Sequence, residues 1–276
     1  MEEDTRIKIE RGLRGVYFDR SRVCDIDGRV GALWYRGYSI HDLAERSTFE
    51  ETCYLLFRGE LPTRAQLAQF AGELEAARRL PAPIHDLIAT VRSAHPMDVL
   101  RTAVSALAAF DPDTADNSAE ANLRKGLRLT SQVPMIVAAH EHIRHDRKPL
   151  APDPALSHAA NFLYMLKGER PSADTARLMD VDMILHAEHG ANASAFTARV
   201  VAGTEANLHA AVTAAIAALS GPAHGGAAEN VMLMAQEIGE ASKAADYVKR
   251  KREAKEGTFP VLKVMKGAKN SSCQLS

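Results

Sequence analysis

Leu219-Ser220-Gly221-Pro222-Ala223-His224-Gly225-Gly226-Ala227-Ala228-Glu229-Asn230 places one histidine in a Gly/Pro turn that opens directly into a helix. Before it, residues 207–220 read as a helix of small side chains suited to close helix–helix approach. After it, 227–239 reads as helix again. A histidine at that mouth lies near backbone N–H groups and the positive end of a helix dipole. Both disfavour the imidazolium, so the ring is expected to stay neutral with one N–H to donate. A neutral imidazole so held polarises a carbonyl while a carboxylate takes the adjacent proton. A purely structural or phosphate-friendly glycine turn is the other reading of the same residues. No Walker pattern, nucleophile elbow or dinucleotide fingerprint accompanies it.

The rest of the chain has the same helical texture. The 276 residues are 46% apolar and 25% charged, as in ordinary globular proteins. Aromatics are only 5% and alanine is abundant, which favours packed helices over a β-sandwich. Strand material is confined to 21–38, where two β-prone runs flank Asp27-Gly28, a two-residue hairpin signal. Thr48-Phe49-Glu50-Glu51 is a capping box for a helix that stops at Gly59, and Pro62 or Thr63 starts the next. Further helices are expected over 85–93, 97–110, 119–144, 156–167, 174–187 and 191–202. Pro134 predicts a kink or a break in the third of them. The reading is a mainly α protein with one small N-terminal hairpin.

A net charge of −1 offers no global field for nucleic acid or an anionic membrane. No apolar run reaches a membrane span, and no secretory signal is visible. Cys24, Cys53 and Cys273 are scattered and odd in number, with neither metal nor disulfide spacing, so a reducing cytosol is expected.

Two other histidine groups stand out. His186 and His189 flank Glu188 and precede Gly190-Ala191-Asn192. Three apart, they share a helix face. They read as metal ligands, as histidines satisfied by backbone or by Glu188, or as donors to an anionic substrate at a helix break. A third metal ligand is not evident, and no metal is expected. His140, His142 and His145 sit at a helix C-terminus and read as a solvated helix end. Lys249, Arg250, Lys251 and Arg252 form a basic run, either an exposed helix end or contacts for the phosphates of a nucleotide-like ligand.

Taken in order, these segments resemble the citrate synthase family, most closely its shorter bacterial and archaeal type, which includes 2-methylcitrate synthases. The resemblance runs from about residue 12 to 257. It rests on Gly12-Leu13-Arg14-Gly15-Val16, Tyr35-Arg36-Gly37-Tyr38-Ser39-Ile40-His41-Asp42, Tyr54 to Pro62, His95 to Thr102, Leu156 to Tyr164, Leu185 to Ser194 and Ser220 to Asn230. It implies a citrate synthase-like, multi-helical large domain over 1–222 and an incomplete small domain over 223–276. It also implies a cytoplasmic homodimer that condenses acetyl-CoA or propionyl-CoA with oxaloacetate, with acyl-CoA as substrate and no cofactor.

On the matching positions, His224 is implied to hydrogen-bond the thioester carbonyl and His189 to bind oxaloacetate. His186, Asn192 and Gly225 are implied to line the same region, and Lys249 to Arg252 to meet CoA. In the family a Gly-His-Arg motif and a later aspartate base follow the basic segment. Here Thr258-Phe259-Pro260-Val261-Leu262-Lys263 stands instead, with no histidine after His224 and no aspartate after Asp246. A truncated chain is therefore expected. The rival expectation is a catalytically incomplete remnant, or a non-catalytic subunit of a full-length homologue.

Overall fold

Side-chain caps punctuate the helices. Thr48 Oγ1 accepts the Glu51 N–H at 3.2 Å and the Glu51 carboxylate accepts the Thr48 N–H at 2.8 Å, which starts α2 (Phe49–Arg58). Gly59, at φ +95°, ends it. Thr63 and Gln66 repeat the box for α3 (Arg64–Ala76). Ser39, Ser118, Ser157, Ser172, Asn192 and Asn207 cap α1 (Ile40–Arg46), α6 (Ala119–Ile143), α7 (His158–Lys167), α8 (Ala173–His186), α9 (Ala193–Ala202) and α10 (Leu208–Leu219). Between them lie α4 (Ala82–Thr90) and α5 (Pro96–Leu107), each with proline in its first turn; α11 (Gly226–Ile238) and α12 (Ala244–Glu253) follow. The structure, a computed structural model, describes residues 21–222 and 224–253. The mainly α reading holds.

Strands β1 (Cys24–Asp27) and β2 (Ala32–Tyr35) pair antiparallel, and a two-residue β3 (Tyr38–Ser39) extends the hairpin to three strands. Asp27-Gly28 does not form the expected two-residue turn. Register pairs Asp27 with Ala32, so the loop is 28–31. The Asp27 carboxylate accepts the Arg29 N–H at 2.9 Å and pairs with the Arg29 guanidinium, and Gly31 takes the positive φ. A side chain that closes a local turn of its own competes with the primed turn that its sequence suggests.

Helix α6 lies at the centre, packed against α3, α4, α5, α7 and α10. Its Leu129, Ile136, Ala139 and Ile143 join Ile84 and Ile88 of α4, Val99, Val104 and Leu107 of α5 and Ile216 of α10 in the main core. The helix runs unbroken through Pro134. An interior proline costs about 3 kcal/mol. Burial of Met135 and Ile136, both 0% exposed, repays about 1.5–3 kcal/mol each. A second core joins Tyr35 of β2, Ile40 and Leu43 of α1, Leu55 of α2 and Ile184 of α8.

The C-terminal end of α6 corrects another expectation. His140 and His142 are buried struts, not a solvated helix end: Nε2 of His140 meets Arg92 O at 3.1 Å and Nε2 of His142 meets Met165 O at 2.7 Å. Neighbouring elements close over that turn, and each ring satisfies a carbonyl there; His145 alone of the three is exposed.

His158, in the first turn of α7, is 1% exposed and stacks on Phe49 at 5.1 Å. Burial, with help from the Arg78 guanidinium, pushes its pKa down to about 4. The unfolded chain takes up that proton near pH 6.5 and the folded chain only near pH 4. Stability present above pH 6.5 is therefore lost as pH falls through this window, by about 3 kcal/mol in all. His158→Phe keeps a stacked ring and removes the titration. Urea unfolding at pH 7 and pH 4.5 will show a loss smaller than the wild type's by about 2 kcal/mol. Parallel losses in the two proteins would contradict this assignment.

Candidate active site

Helix α10 packs along α9 and against α5, so its C-terminal end is held rigidly. There the chain turns sharply: His224 N–H donates to Gly221 O at 2.9 Å and Gly225 N–H to Leu219 O at 2.9 Å. The turn is too tight for any side chain at 225, where a Cβ would lie 2.1 Å from Leu219 O. Glycine is needed here for close approach of backbone, since its φ of −68° is ordinary. The turn leaves His224 two residues before α11, at the helix mouth expected from sequence.

Across from this turn stands α9. Asn192 Oδ1 accepts the Ala195 N–H at 2.9 Å and caps the helix, which fixes Ser194 in its first turn. Ser194 Oγ and His224 Nε2 share a hydrogen bond at 2.8 Å, both side chains half-buried. Asn192, Gly225 and His224 therefore belong to one constellation, with Ser194 as a member that residue patterns alone missed. The signal for Ser194 was its place two residues after a helix-capping asparagine.

The segment before Asn192 is braced by the hairpin. Tyr35, fully buried, donates from its hydroxyl to Ile184 O at 3.1 Å and accepts the Glu188 N–H at 3.2 Å. Burial pushes the phenol up, so it stays protonated and able to donate. Glu188 Oε1 accepts the Gly190 N–H at 2.6 Å and the Cys24 thiol at 3.3 Å. Gly190 has φ +66°, and a Cβ there would meet Ile26 Cδ1 at 3.2 Å.

Not every expected site residue joins the group. His186 folds back on its own helix, Nδ1 2.8 Å from Asp182 O, with its side chain 76% exposed. His189 is exposed in the loop after α8. Lys249 and Arg250 line a groove of about 500 Å³ on α12 together with Lys243 and Asp246. Lys251 instead turns to Glu237 at 3.8 Å and lies over the Tyr247 ring. The side chain of Arg252 and the 254–276 segment lie outside the described residues. Among the described residues, no three His, Cys, Asp or Glu side chains gather as a metal site requires, and no helix is long and apolar enough to cross a membrane.

A family profile described as "Citrate synthase, C-terminal domain" matches residues 12–262. The chain belongs to the citrate synthase family. It is 44% identical over 254 residues to a 2-methylcitrate synthase of Mycobacterium tuberculosis, covering 92% of this chain and 64% of that one. It is 42% identical over 249 residues to a citrate synthase of Deinococcus radiodurans, covering 90% and 66%. Among solved structures, the citrate synthase of Pyrobaculum aerophilum superposes with a TM-score of 0.83 at 39% identity, over 88% of this chain and 63% of that one. The citrate synthase of Thermoplasma acidophilum, solved as a ternary complex with carboxymethyl coenzyme A and oxaloacetate, gives 0.83 at 26% identity, over 91% and 66%. This citrate synthase family chain thus spans a little under two thirds of the length of these curated relatives.

Gly225→Ala will lower the unfolding free energy by about 1–3 kcal/mol, because backbone must yield around the new methyl. Gly72→Ala, in α3 with open space around it, will be neutral or stabilising by up to about 1 kcal/mol. Denaturant titration of both variants checks the contrast, and equal effects would contradict it.

Proposed function

We propose that this chain carries the acyl-CoA and oxo-acid chemistry of citrate synthases, joining acetyl-CoA or propionyl-CoA to oxaloacetate. The observation that carries the reading is the hydrogen bond between Ser194 and His224 at the mouth of α11. With the serine hydroxyl donating to Nε2, the ring proton sits on Nδ1, which is left to donate to a substrate oxygen.

The α-hydrogen of a thioester is a weak acid. Its removal by a carboxylate base requires a donor at the carbonyl oxygen, where negative charge develops. His224 Nδ1–H supplies that donor, and the enol forms as the α-proton passes to a carboxylate base, a role to which no described residue is assigned here. The enol carbon then attacks the ketone carbon of oxaloacetate, the new C–C bond closes, and the alkoxide takes a proton. Water cleaves the thioester, releasing CoA as its thiol and the tricarboxylic acid. His189, exposed beside the Asn192 cap, is assigned to the oxo-acid, with His186 and Asn192 at the rim. Lys249 and Arg250 in their groove, with Lys251 and Arg252 on the same helix, are assigned to the phosphates of CoA.

Residues 223–276 are assigned to the start of a second, smaller domain. Within it α11 and α12 are tied by Tyr247 Oη donating to Glu237 at 2.6 Å. A homodimer through the large domain, as the family resemblance implies, accounts for apolar side chains left exposed on α8 and α9: Leu178, Leu185 and Val200. A cytosolic setting suits both substrates.

Thiol release from acetyl-CoA and propionyl-CoA, assayed with and without oxaloacetate, tests the reaction. Release should require oxaloacetate, and His224→Ala should lower the rate by about 10²-fold or more. No thiol release, release without the oxo-acid, or an unchanged rate in the variant would each overturn the proposal. Sedimentation equilibrium checks the dimer, with a monomer as the contrary result.

A further inference from the structure

Cys24 and Tyr35 are directly opposite each other across β1 and β2, and Ile26 follows Cys24 on the same face. All three side chains meet one short segment, 184–190. Tyr35 Oη donates to Ile184 O and accepts the Glu188 N–H. Cys24 donates to the Glu188 carboxylate, which also holds the Gly190 N–H. Ile26 lies against Gly190, whose positive φ and close approach to that side chain both favour glycine.

This segment ends α8 and carries His186 and His189 before Asn192 opens α9. Helix ends leave backbone groups unpaired, and an exposed loop of this kind would otherwise wander. Here the Glu188 N–H and carboxylate and the Ile184 carbonyl are met by another element, distant in sequence and locked by strand register, while Glu188 holds the Gly190 N–H within the loop. A one-residue slip of β1 against β2 would turn Cys24, or Tyr35, to the other face.

We infer that the hairpin face is a template for the substrate loop, with Tyr35 as the positioning residue that sets where His189 stands. The inference rests on the assignment of His189 to the oxo-acid. Tyr35 touches no reacting atom; it acts through Glu188 and Gly190.

Tyr35→Phe preserves the buried ring and removes only the hydroxyl. Hydrogen–deuterium exchange on the 276-residue chain should then show amides of 186–192 exchanging about tenfold faster, while those of α6 are unchanged. Oxaloacetate affinity by calorimetry should fall about tenfold, with the melting temperature lowered by only a few degrees. Glu188→Ala should loosen the same amides, and Glu188→Gln, which keeps an oxygen for Gly190, should restore them. Unchanged exchange in 186–192, or equal acceleration in every helix, would overturn the template. Faster exchange with unchanged affinity would overturn the positioning role. A wild-type chain that binds no oxaloacetate would overturn the oxo-acid assignment instead, and the exchange arm would still judge the template.

Discussion

The hydrogen bond between Ser194 Oγ and His224 Nε2 joins the first turn of α9 to the glycine turn that follows α10, 30 residues further along the chain. On one side, Asn192 caps α9 and fixes the serine in the first turn. On the other, Gly225 lets the chain pass so close to Leu219 that the histidine comes back toward α9 instead of continuing away with α11. The packing of α10 on α9 sets the distance between the two sides. Each contribution is a backbone constraint: a cap, a close approach and a pair of packed helices. The orientation of one imidazole is their joint result. An imidazole with one nitrogen so committed offers its other nitrogen to a ligand, which is what carbonyl polarisation requires.

Much of this was legible in the residues. Thr48-x-x-Glu51 and Gly59 delimit α2 because capping chemistry is local and needs no partner elsewhere. The small-residue run before Gly221 forms α10 for the same reason. Where reading and structure part, a contact distant in sequence decided two of the three cases and a local one the third. Pro134 breaks an isolated helix, yet α6 continues because the core buries both sides of the proline. His140 and His142 look solvated on their own helix and are buried because Arg92 and Met165, far along the chain, bring carbonyls to them. Asp27-Gly28 fails as a two-residue turn because the Asp27 side chain closes a different one. Of the residues that meet where α9 faces the glycine turn, His224, Gly225 and Asn192 are singled out from sequence. The sequence did not reveal Ser194 or Tyr35, whose roles exist only across spacings of 30 and about 150 residues.

Several interior polar groups tie neighbouring elements together. His142 and Ser131 are buried with a carbonyl partner. His209, 1% exposed at the start of α10, faces Asp111, which Arg128 holds at 2.6 and 2.8 Å. These contacts tie helices whose apolar faces alone would allow sliding, and the same helices carry the candidate site at their ends.

A double-mutant cycle on the unfolding free energy, with Ser194→Ala, His224→Ala and the double variant, measures the joining interaction itself. The account predicts a coupling of about 1 kcal/mol between the two positions. Strict additivity of the two single effects would contradict it.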